Sequence, residues 1–240
     1  MEELHDAEHG LWTFHQPLSV LGAEIGCRMT VVRLGDGGLL IHSPIALTPA
    51  LRQRLDAIGP VRHVLAPNLD HYLFVEQFRA AYPDTRCYAA PGVAEKLRSV
   101  MFDVRLSPPT SVRVWEDVLD QRWFRSNESL QELVLFHRAS RTLIAADLAF
   151  NIQSSDGLLS RLLLRLNDSY RSFGPSRVCR RYITAPHLAR ADLDAIIGLD
   201  PERLIVAHGE ILWSGAGGGL RRAYEWLDAA GAHARPPAPW

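Results

Sequence analysis

Residues 61–71, VRHVLAPNLDH, decide the fold. The short apolar run of residues 61–65 predicts a strand, and the pair Asp70–His71 follows shortly after it. Residues 72–82 then predict a helix, because their apolar side chains share one helical face. A strand that passes through a polar turn into a helix is a building unit of layered α/β folds. The side chains of the turn are therefore the first place to look for chemistry.

Two later strands end in the same kind of residue. Residues 142–146 lead to Asp147, and residues 203–207 lead to His208. Loops beyond the carboxyl ends of strands are where α/β sheets place their sites, so these residues are expected to converge. The candidate ligands are Asp70, His71, Asp147 and His208.

Two carboxylates and two imidazoles suit a divalent ion such as zinc, iron or manganese. Such an ion could activate a water molecule as nucleophile. Each residue alone also has an ordinary structural interpretation. Asp70 could cap the helix that starts at His71, Asp147 could cap the segment after its strand, and His208 could be a hydrogen-bonded loop histidine. Their shared position at strand ends favours the joint metal site.

The rest of the chain alternates strands and helices, which predicts an α/β fold with a mixed sheet. The turn Gly35-Asp36-Gly37-Gly38 predicts a hairpin, and Thr48 is the expected N-cap of a helix. Further strands are predicted over residues 29–34, 39–42, 85–89 and 133–136. Further helices are predicted over residues 48–58, 158–166, 191–197 and 220–229. We expect one domain over residues 1–230 and a loose tail, rich in Ala and Pro, over residues 231–240.

Composition excludes several classes of protein. The 240 residues are 47% hydrophobic and 22% charged, which is typical of a folded globular chain. The net charge of -1 argues against a dedicated nucleic-acid-binding protein. Three cysteines without a C-x-x-C pair indicate reduced thiols, and no signal peptide is visible, so a cytoplasmic location is expected. No apolar stretch approaches the ~20 residues of a membrane span, so stable membrane insertion is not expected.

The order hairpin, strand–Asp–His–helix, strand–Asp, strand–His–Gly resembles the metallo-β-lactamase-like superfamily of hydrolases and oxidoreductases over residues 29–213. The resemblance implies an αββα four-layer sandwich with mixed sheets and a metal site at one edge. The superfamily motif His-x-His-x-Asp-His aligns with residues 66–71, where Ala66 and Asn68 replace the first two histidines. The middle histidine of the superfamily is also absent, and Glu132 lies near its expected place.

This pattern of loss implies that one metal site is retained. Asp70, His71, Asp147 and His208 match the superfamily's ligands for the second metal and the bridge, whereas the histidines for the first metal are missing. We therefore expect one divalent ion, zinc or iron, on these four residues, with Asp70 as a catalytic residue. The chain also resembles an uncharacterised branch of the superfamily, through RMTVVRL (28–34), HSPI (42–45), APN (66–68) and SRTLI (140–144).

Three more residues are candidates for substrate binding. His42 ends a hairpin strand where the superfamily usually has an Asp; it could line the pocket, help to hold a metal or be a hydrogen-bonded histidine beside Pro44. Asn68 could hydrogen-bond a metal-bound water. His187 follows Pro186 in a loop that could reach the site.

The segment of residues 158–173 interleaves leucines with Arg161, Arg165 and Arg171. It could be a helical lid, the contact of a homodimer or a helix on a membrane surface. The simplest interpretation is a helix with one face in the core and a solvated arginine face.

Three functions remain open. The first is a metal-dependent hydrolase of a small-molecule ester, thioester, lactone or phosphoester. The second is a non-catalytic relative that binds a small molecule or a protein, because four remaining ligands would close a tetrahedral zinc. An oxidoreductase ranks last, because the usual two-iron site needs the missing histidines.

Overall fold

Strands and helices alternate along the chain, as the sequence predicts. The computed structural model describes residues 4–127 and 131–231. The strands are β1 His5–Asp6, β2 Leu11–Gln16, β3 Ser19–Val20, β4 Ala23–Glu24, β5 Cys27–Arg33, β6 Leu39–His42, β7 Val61–Ala66, β8 Arg86–Ala89, β9 Val104–Arg105, β10 Leu119–Arg125, β11 Gln131–His137, β12 Thr142–Ile144 and β13 Arg203–Ile205. The helices are α1 Pro49–Ile58, α2 Val75–Ala81, α3 Val93–Lys96, α4 Leu158–Leu166, α5 Arg177–Tyr182, α6 Pro186–Ile197, α7 Ala216–Ala223 and α8 Trp226–Gly231, with a 3₁₀ turn at Arg113–Trp115.

The strands form two mixed sheets. The first has the order β1-β2-β5-β6-β7-β8-β9, antiparallel as far as β6 and parallel from β6 to β9. The second has the order β10-β11-β12-β13, in which only β12 and β13 are parallel. The strands β3 and β4 form a separate hairpin. The predicted mixed sheets are confirmed.

Three apolar cores separate four layers. Successive strand residues face opposite sides of a sheet. In β6, Ile41 packs with Leu55 of α1 and Phe78 of α2, whereas Leu40 packs between the sheets. On the other sheet, Leu143 of β12 packs with Leu193 of α6. The order is helix, sheet, sheet, helix, which confirms the αββα sandwich.

The first helix forms where the sequence predicts it. Thr48 is the N-cap, and its Oγ1 accepts a hydrogen bond from the Leu51 amide at 3.2 Å. Pro49 occupies the first helical position, where its missing N–H costs nothing. The helix α6 also begins with a proline, Pro186, but without a side-chain cap, and it starts five residues before the predicted start at residue 191.

The predicted helix of residues 72–82 begins only at Val75, because a side chain holds the preceding turn. Asn68 Oδ1 accepts hydrogen bonds from the amides of Asp70 at 2.9 Å and His71 at 3.0 Å. Asn68 thus holds the turn before the helix, and α2 itself, with Phe74 at its N-cap, has no side-chain cap from Asp70 or Asn68.

The C-terminal part differs more from prediction. The helix predicted over residues 220–229 is divided between α7 and α8, and the glycine-rich stretch 215–219 supplies the N-cap and the first residues of α7. A Cβ at Gly219 would lie 3.2 Å from side-chain atoms of Leu212 and Phe173, so glycine lets α7 pack closely. The predicted tail, except for Gly231, lies outside the described residues. Within the described ranges, every helix is too short or too polar to cross a bilayer.

Candidate functional site

Three of the four predicted ligands meet beyond the ends of β7, β12 and β13. His71 Nε2 lies 3.2 Å from Asp147 Oδ2, and His208 Nε2 lies 3.3 Å from Asp147 Oδ1. One potential ligand atom from each of the three lies within 4.8 Å of the others. Two imidazole nitrogens and a carboxylate at this spacing could hold one metal ion. We call His71, Asp147 and His208 the ligand cluster.

The outer nitrogen of each imidazole is fixed by the surrounding chain. His208 Nδ1 lies 2.7 Å from the carbonyl oxygen of Gly26, which can only accept, so Nδ1 donates and Nε2 faces Asp147. His71 Nδ1 lies 2.6 Å from Ser43 Oγ. Hydrogen bonds of this kind orient metal-binding histidines and set their tautomer. Both imidazoles are therefore held with Nε2 directed at Asp147.

The loop that carries His208 is held by a buried arginine. Arg28 Nη1 donates to the carbonyl oxygens of Val206 at 2.8 Å and Gly209 at 2.7 Å, on either side of His208. The His208 ring also stacks on Phe150, with ring centroids 4.9 Å apart and an angle of 14° between the planes. These contacts fix the imidazole in position and in plane.

The structure does not bring Asp70 to the ligand cluster. The Asp70 side chain is 70% exposed, and its Oδ1 lies 3.4 Å from Lys96 Nζ at the rim of the cavity above the cluster. The turn held by Asn68 places His71 inside and Asp70 outside. Three of the four predicted ligands therefore lie together in the structure, and Asp70, for which a catalytic role is also predicted, lies apart from them.

Asn68 and Glu132 occupy the side of the site where the superfamily's first-metal histidines are missing. Asn68 Nδ2 donates to Asp147 Oδ2 at 2.8 Å and to Glu132 Oε2 at 3.2 Å. Glu132 Oε1 accepts from the Ala146 amide at 2.6 Å, and Oε2 accepts from the Asp147 amide at 2.8 Å. We call Asn68 and Glu132 the amide–carboxylate bridge. It holds the backbone and the carboxylate of Asp147 together.

Charges in the site are strongly coupled. Burial raises the pKa of Glu132, and repulsion from the Asp147 carboxylate adds to this, to about 7. Burial lowers the pKa of His71, but attraction to Asp147 outweighs it and holds that pKa well above its ordinary value. Burial raises the pKa of Asp147, but His71 and His208 outweigh it and hold that pKa well below its ordinary value. The buried carboxylates thus favour a positive partner, which a divalent cation would also provide.

The predicted substrate-binding residues separate into two groups. Asn68 borders the cavity. His42 is 1% exposed on β6 and does not line the cavity, and burial, with the nearby His71 charge, lowers its pKa to about 3. His187 is the exposed second residue of α6 and also lies away from the cavity lining. Strand alternation turns His42 inward, and the early start of α6 fixes His187 on the surface.

A cavity of about 920 Å³ opens above the ligand cluster. Asn68, Glu132 and the ligand cluster border it together with Cys27, which the sequence indicated only as a small core residue. Sequence reasoning placed Glu132 near the site but assigned it no role. It missed Phe150, for which a position three residues after Asp147 was the only signal.

A family model described as "Domain of unknown function (DUF4336)" matches residues 8–163. No curated protein matches the chain.

Solved structures with the metallo-β-lactamase fold superpose on almost the whole chain. A structure described as diflavin flavoprotein A 5 from Nostoc sp. PCC 7120 has a TM-score of 0.69 at 13% identity, covering 97% of this chain and 98% of that one. A metallo-β-lactamase from Pontibacter korlensis has a TM-score of 0.60 at 10% identity, with coverages of 95% and 98%. The metallo-β-lactamase FIM-1 from Pseudomonas aeruginosa, in its mono-zinc form, has a TM-score of 0.61 at 10% identity, with both coverages at 92%. These superpositions show a common fold, as the resemblance implies for the architecture.

Proposed function

The chain belongs to the DUF4336 family, and from this premise we propose that it is a metal-dependent hydrolase with a single divalent ion, zinc or iron, on the ligand cluster. One observation carries the proposal. Two imidazoles whose outer nitrogens are already engaged, by Ser43 and Gly26, face one carboxylate at the floor of an open cavity.

The number of ligands supports a catalytic site over a structural one. Structural zinc sites are closed by four protein ligands, whereas catalytic sites use three and keep a position open. Asp70, the fourth predicted ligand, points to Lys96 at the rim. Three ligands would therefore leave one position of a tetrahedral zinc open.

A divalent ion in the site supplies Lewis-acid activation of water and of a carbonyl or phosphoryl group. The chain's own residues hold the three ligands in place. Asp147 Oδ1 and Oδ2 face one imidazole each, and Glu132 holds the Asp147 backbone. In the overall reaction, the oxygen of water bonds to the acyl carbon or phosphorus, and the bond to the leaving oxygen or sulfur breaks. One proton of the water passes to the leaving atom, and the acid keeps the hydroxyl group.

A non-catalytic binding protein is the second candidate, and the amide–carboxylate bridge favours it. Both oxygens of Glu132 accept hydrogen bonds from the chain, which restrains it from acting as a base. An oxidoreductase with a two-iron site would need imidazoles at positions 66 and 68, where this chain has Ala66 and Asn68.

The test is metal content followed by turnover. Wild type, Asp147→Asn and the matched rim variant Asp70→Asn would be loaded with zinc or iron(II), desalted and measured by elemental mass spectrometry. We expect about one equivalent in wild type and Asp70→Asn, as a single site of three ligands requires, and much less in Asp147→Asn. Full metal content in Asp147→Asn would show that the assigned site is wrong.

Turnover would then be measured on chromogenic esters, thioesters, lactones and phosphoesters. We expect hydrolysis of at least one class, abolished by a chelator and restored by the metal. A metal-loaded wild type that hydrolyses none of these classes would support the non-catalytic candidate instead.

A further inference from the structure

The walls of the cavity are apolar along most of their height. They come from the β3–β4 hairpin, α4 and α5, with Phe124 from β10 and Phe150 beside His208. The strongly polar groups lie at the floor, in the ligand cluster and the amide–carboxylate bridge, or at the rim. A ligand that fills this cavity would therefore place an apolar portion along the walls and a polar portion at the floor.

Exposed apolar side chains also collect at the mouth of the cavity. Among the described residues, twelve large apolar side chains are exposed, and six of these line the cavity. The six are Val20, Leu21, Leu73, Leu166, Val178 and Tyr182. An exposed apolar patch around a cleft is typical of a surface that binds an apolar ligand or an apolar partner surface, because leaving it in water costs free energy.

The walls are joined to each other by hydrogen bonds. Ser160 Oγ on α4 accepts from the Glu24 amide on β4 at 2.8 Å, and Ser155 Oγ donates to Glu24 Oε2 at 2.7 Å. A Cβ at Gly22 would lie 3.5 Å from Leu163 Cδ1, so the tip of the hairpin reaches α4. The cavity is thus formed by elements already in contact.

The charges at the rim and floor of the cavity favour a neutral ligand over an anionic one. At the rim, Lys96 pairs with Asp70 at 3.4 Å, and Arg177 Nη2 pairs with Asp168 Oδ1 at 3.1 Å. Arg181 is exposed at the rim, where solvent screens its charge. The floor carries the carboxylates of Asp147 and Glu132. Because His71 is already paired with Asp147, a free anion would gain little there without a metal.

We propose that this cavity binds the apolar acyl chain of a carboxylic ester or thioester, with the carbonyl group at the ligand cluster. This rests on the proposed hydrolase function and narrows its substrate from four classes to acyl esters and thioesters. The acyl chain lies along the wall that the β3–β4 hairpin and α4 form together, and its far end reaches the exposed apolar residues of the mouth.

The first test measures binding alone, so that it does not depend on catalysis. Hexanol, octanol and decanol are neutral probes that can be titrated calorimetrically into the full, metal-free chain. Each buried methylene should tighten the dissociation constant about four-fold, with a negative heat-capacity change. Equal affinity for the three alcohols, or no binding, would overturn the proposal.

A pair of neighbouring leucines on α4 provides matched variants. Leu163 lines the cavity, whereas Leu162 is 52% exposed and does not line it. We expect Leu163→Gln to weaken octanol binding at least about ten-fold and Leu162→Gln to leave it unchanged. Val178→Gln, at a position already 48% exposed, provides a second cavity variant if Leu163→Gln fails to fold. Equal effects of the cavity variants and Leu162→Gln would count against the cavity.

The second test uses the zinc-loaded chain and p-nitrophenyl acetate, butyrate and octanoate. A KM that falls as the acyl chain lengthens supports the proposal. Ester turnover that does not depend on the length of the acyl chain would support the hydrolase function and contradict the proposal that the cavity binds the acyl chain. If alcohol binding depends on chain length but no ester is hydrolysed, the result would support an apolar binding cavity and contradict the hydrolase function.

Discussion

The two sides of the site satisfy their polar groups in opposite ways. On the side of the ligand cluster, each imidazole uses its outer nitrogen on the chain, through Ser43 or Gly26, and directs the other at Asp147. On the side of the amide–carboxylate bridge, Asn68 and Glu132 satisfy each other and the backbone of the Asp147 strand end. The first arrangement leaves two imidazole nitrogens and a carboxylate directed at a place where an added ion could bind. In the second arrangement, the polar groups are satisfied without an ion.

Because of this difference, substitutions on the two sides should change different quantities, the metal affinity on one side and the free energy of unfolding on the other. A change on the amide–carboxylate side leaves buried backbone groups without partners, so it should act mainly on the free energy of unfolding. A change behind an imidazole should act mainly on metal affinity, because it alters the orientation of a ligand. Four changes probe this difference, with expected effects that decrease from the first to the last.

Glu132→Ala should have the largest effect. It removes the acceptor of the buried Ala146 and Asp147 amides, and leaving them unpaired should lower the free energy of unfolding by about 3 kcal/mol. Urea denaturation of the metal-free chain measures this. The control is Glu95→Ala, which removes an exposed partner of Arg105 and should cost little. A similar cost for both variants would show that the bridge does not support the fold.

Zinc should stabilise the wild type by an amount that rises with the logarithm of the free zinc concentration above the dissociation constant. At a free zinc concentration about 100 times the dissociation constant, the free energy of unfolding should rise by about 2.7 kcal/mol. His208→Ala should lose most of this gain, because it removes one ligand. The free energy of unfolding of each protein is measured with and without zinc, so that the zinc-free form of the same protein is the reference. An equal gain in His208→Ala would place the ion elsewhere.

Ser43→Ala should weaken zinc binding roughly 10- to 100-fold, because it frees the His71 ring to reorient. The fold offers a matched control: Ser140 Oγ lies 2.8 Å from His137 Nδ1 in the same kind of buried Ser–His pair. Ser140→Ala should affect stability to a similar degree and leave zinc affinity unchanged. Competition with a chromogenic chelator measures both affinities, and equal losses would contradict a role for Ser43 in orienting the ligand.

Lys96→Ala should have the smallest effect. Its ion pair with Asp70 is exposed on both sides, so the free energy of unfolding should change by less than about 1 kcal/mol. If Asp70 stays at the rim, zinc affinity should not change either. A clear gain in zinc affinity would show that Asp70, once released, joins the other ligands.

The sequence predicted the ligand cluster because strand ends are among its clearest signals. His71, Asp147 and His208 each follow an apolar run, and the sheet order brings these ends together. The position of Asp70 was not predictable in this way. Two adjacent turn residues point in different directions, and which one turns inward depends on the hydrogen bonds of Asn68.

The walls of the cavity were harder to predict than its floor. The strands β3 and β4 have two residues each, too few for any periodicity. In α4, Leu158 and Leu162 are exposed while Ser160 is buried, because Ser160 bonds to Glu24. The expected helix with an apolar core face and a solvated arginine face was therefore wrong in part: tertiary contacts outweighed the pattern of the segment.

The bond between His208 and Gly26 also fixes when the site can exist during folding. These residues are 182 positions apart, so the loop they close is nearly as long as the described chain, and such contacts form late. During synthesis, which proceeds from the N-terminus, the first sheet can pair its strands well before His208 has been made. The imidazole pair is completed only when the second sheet docks, so a bound ion would mark chains that have finished folding.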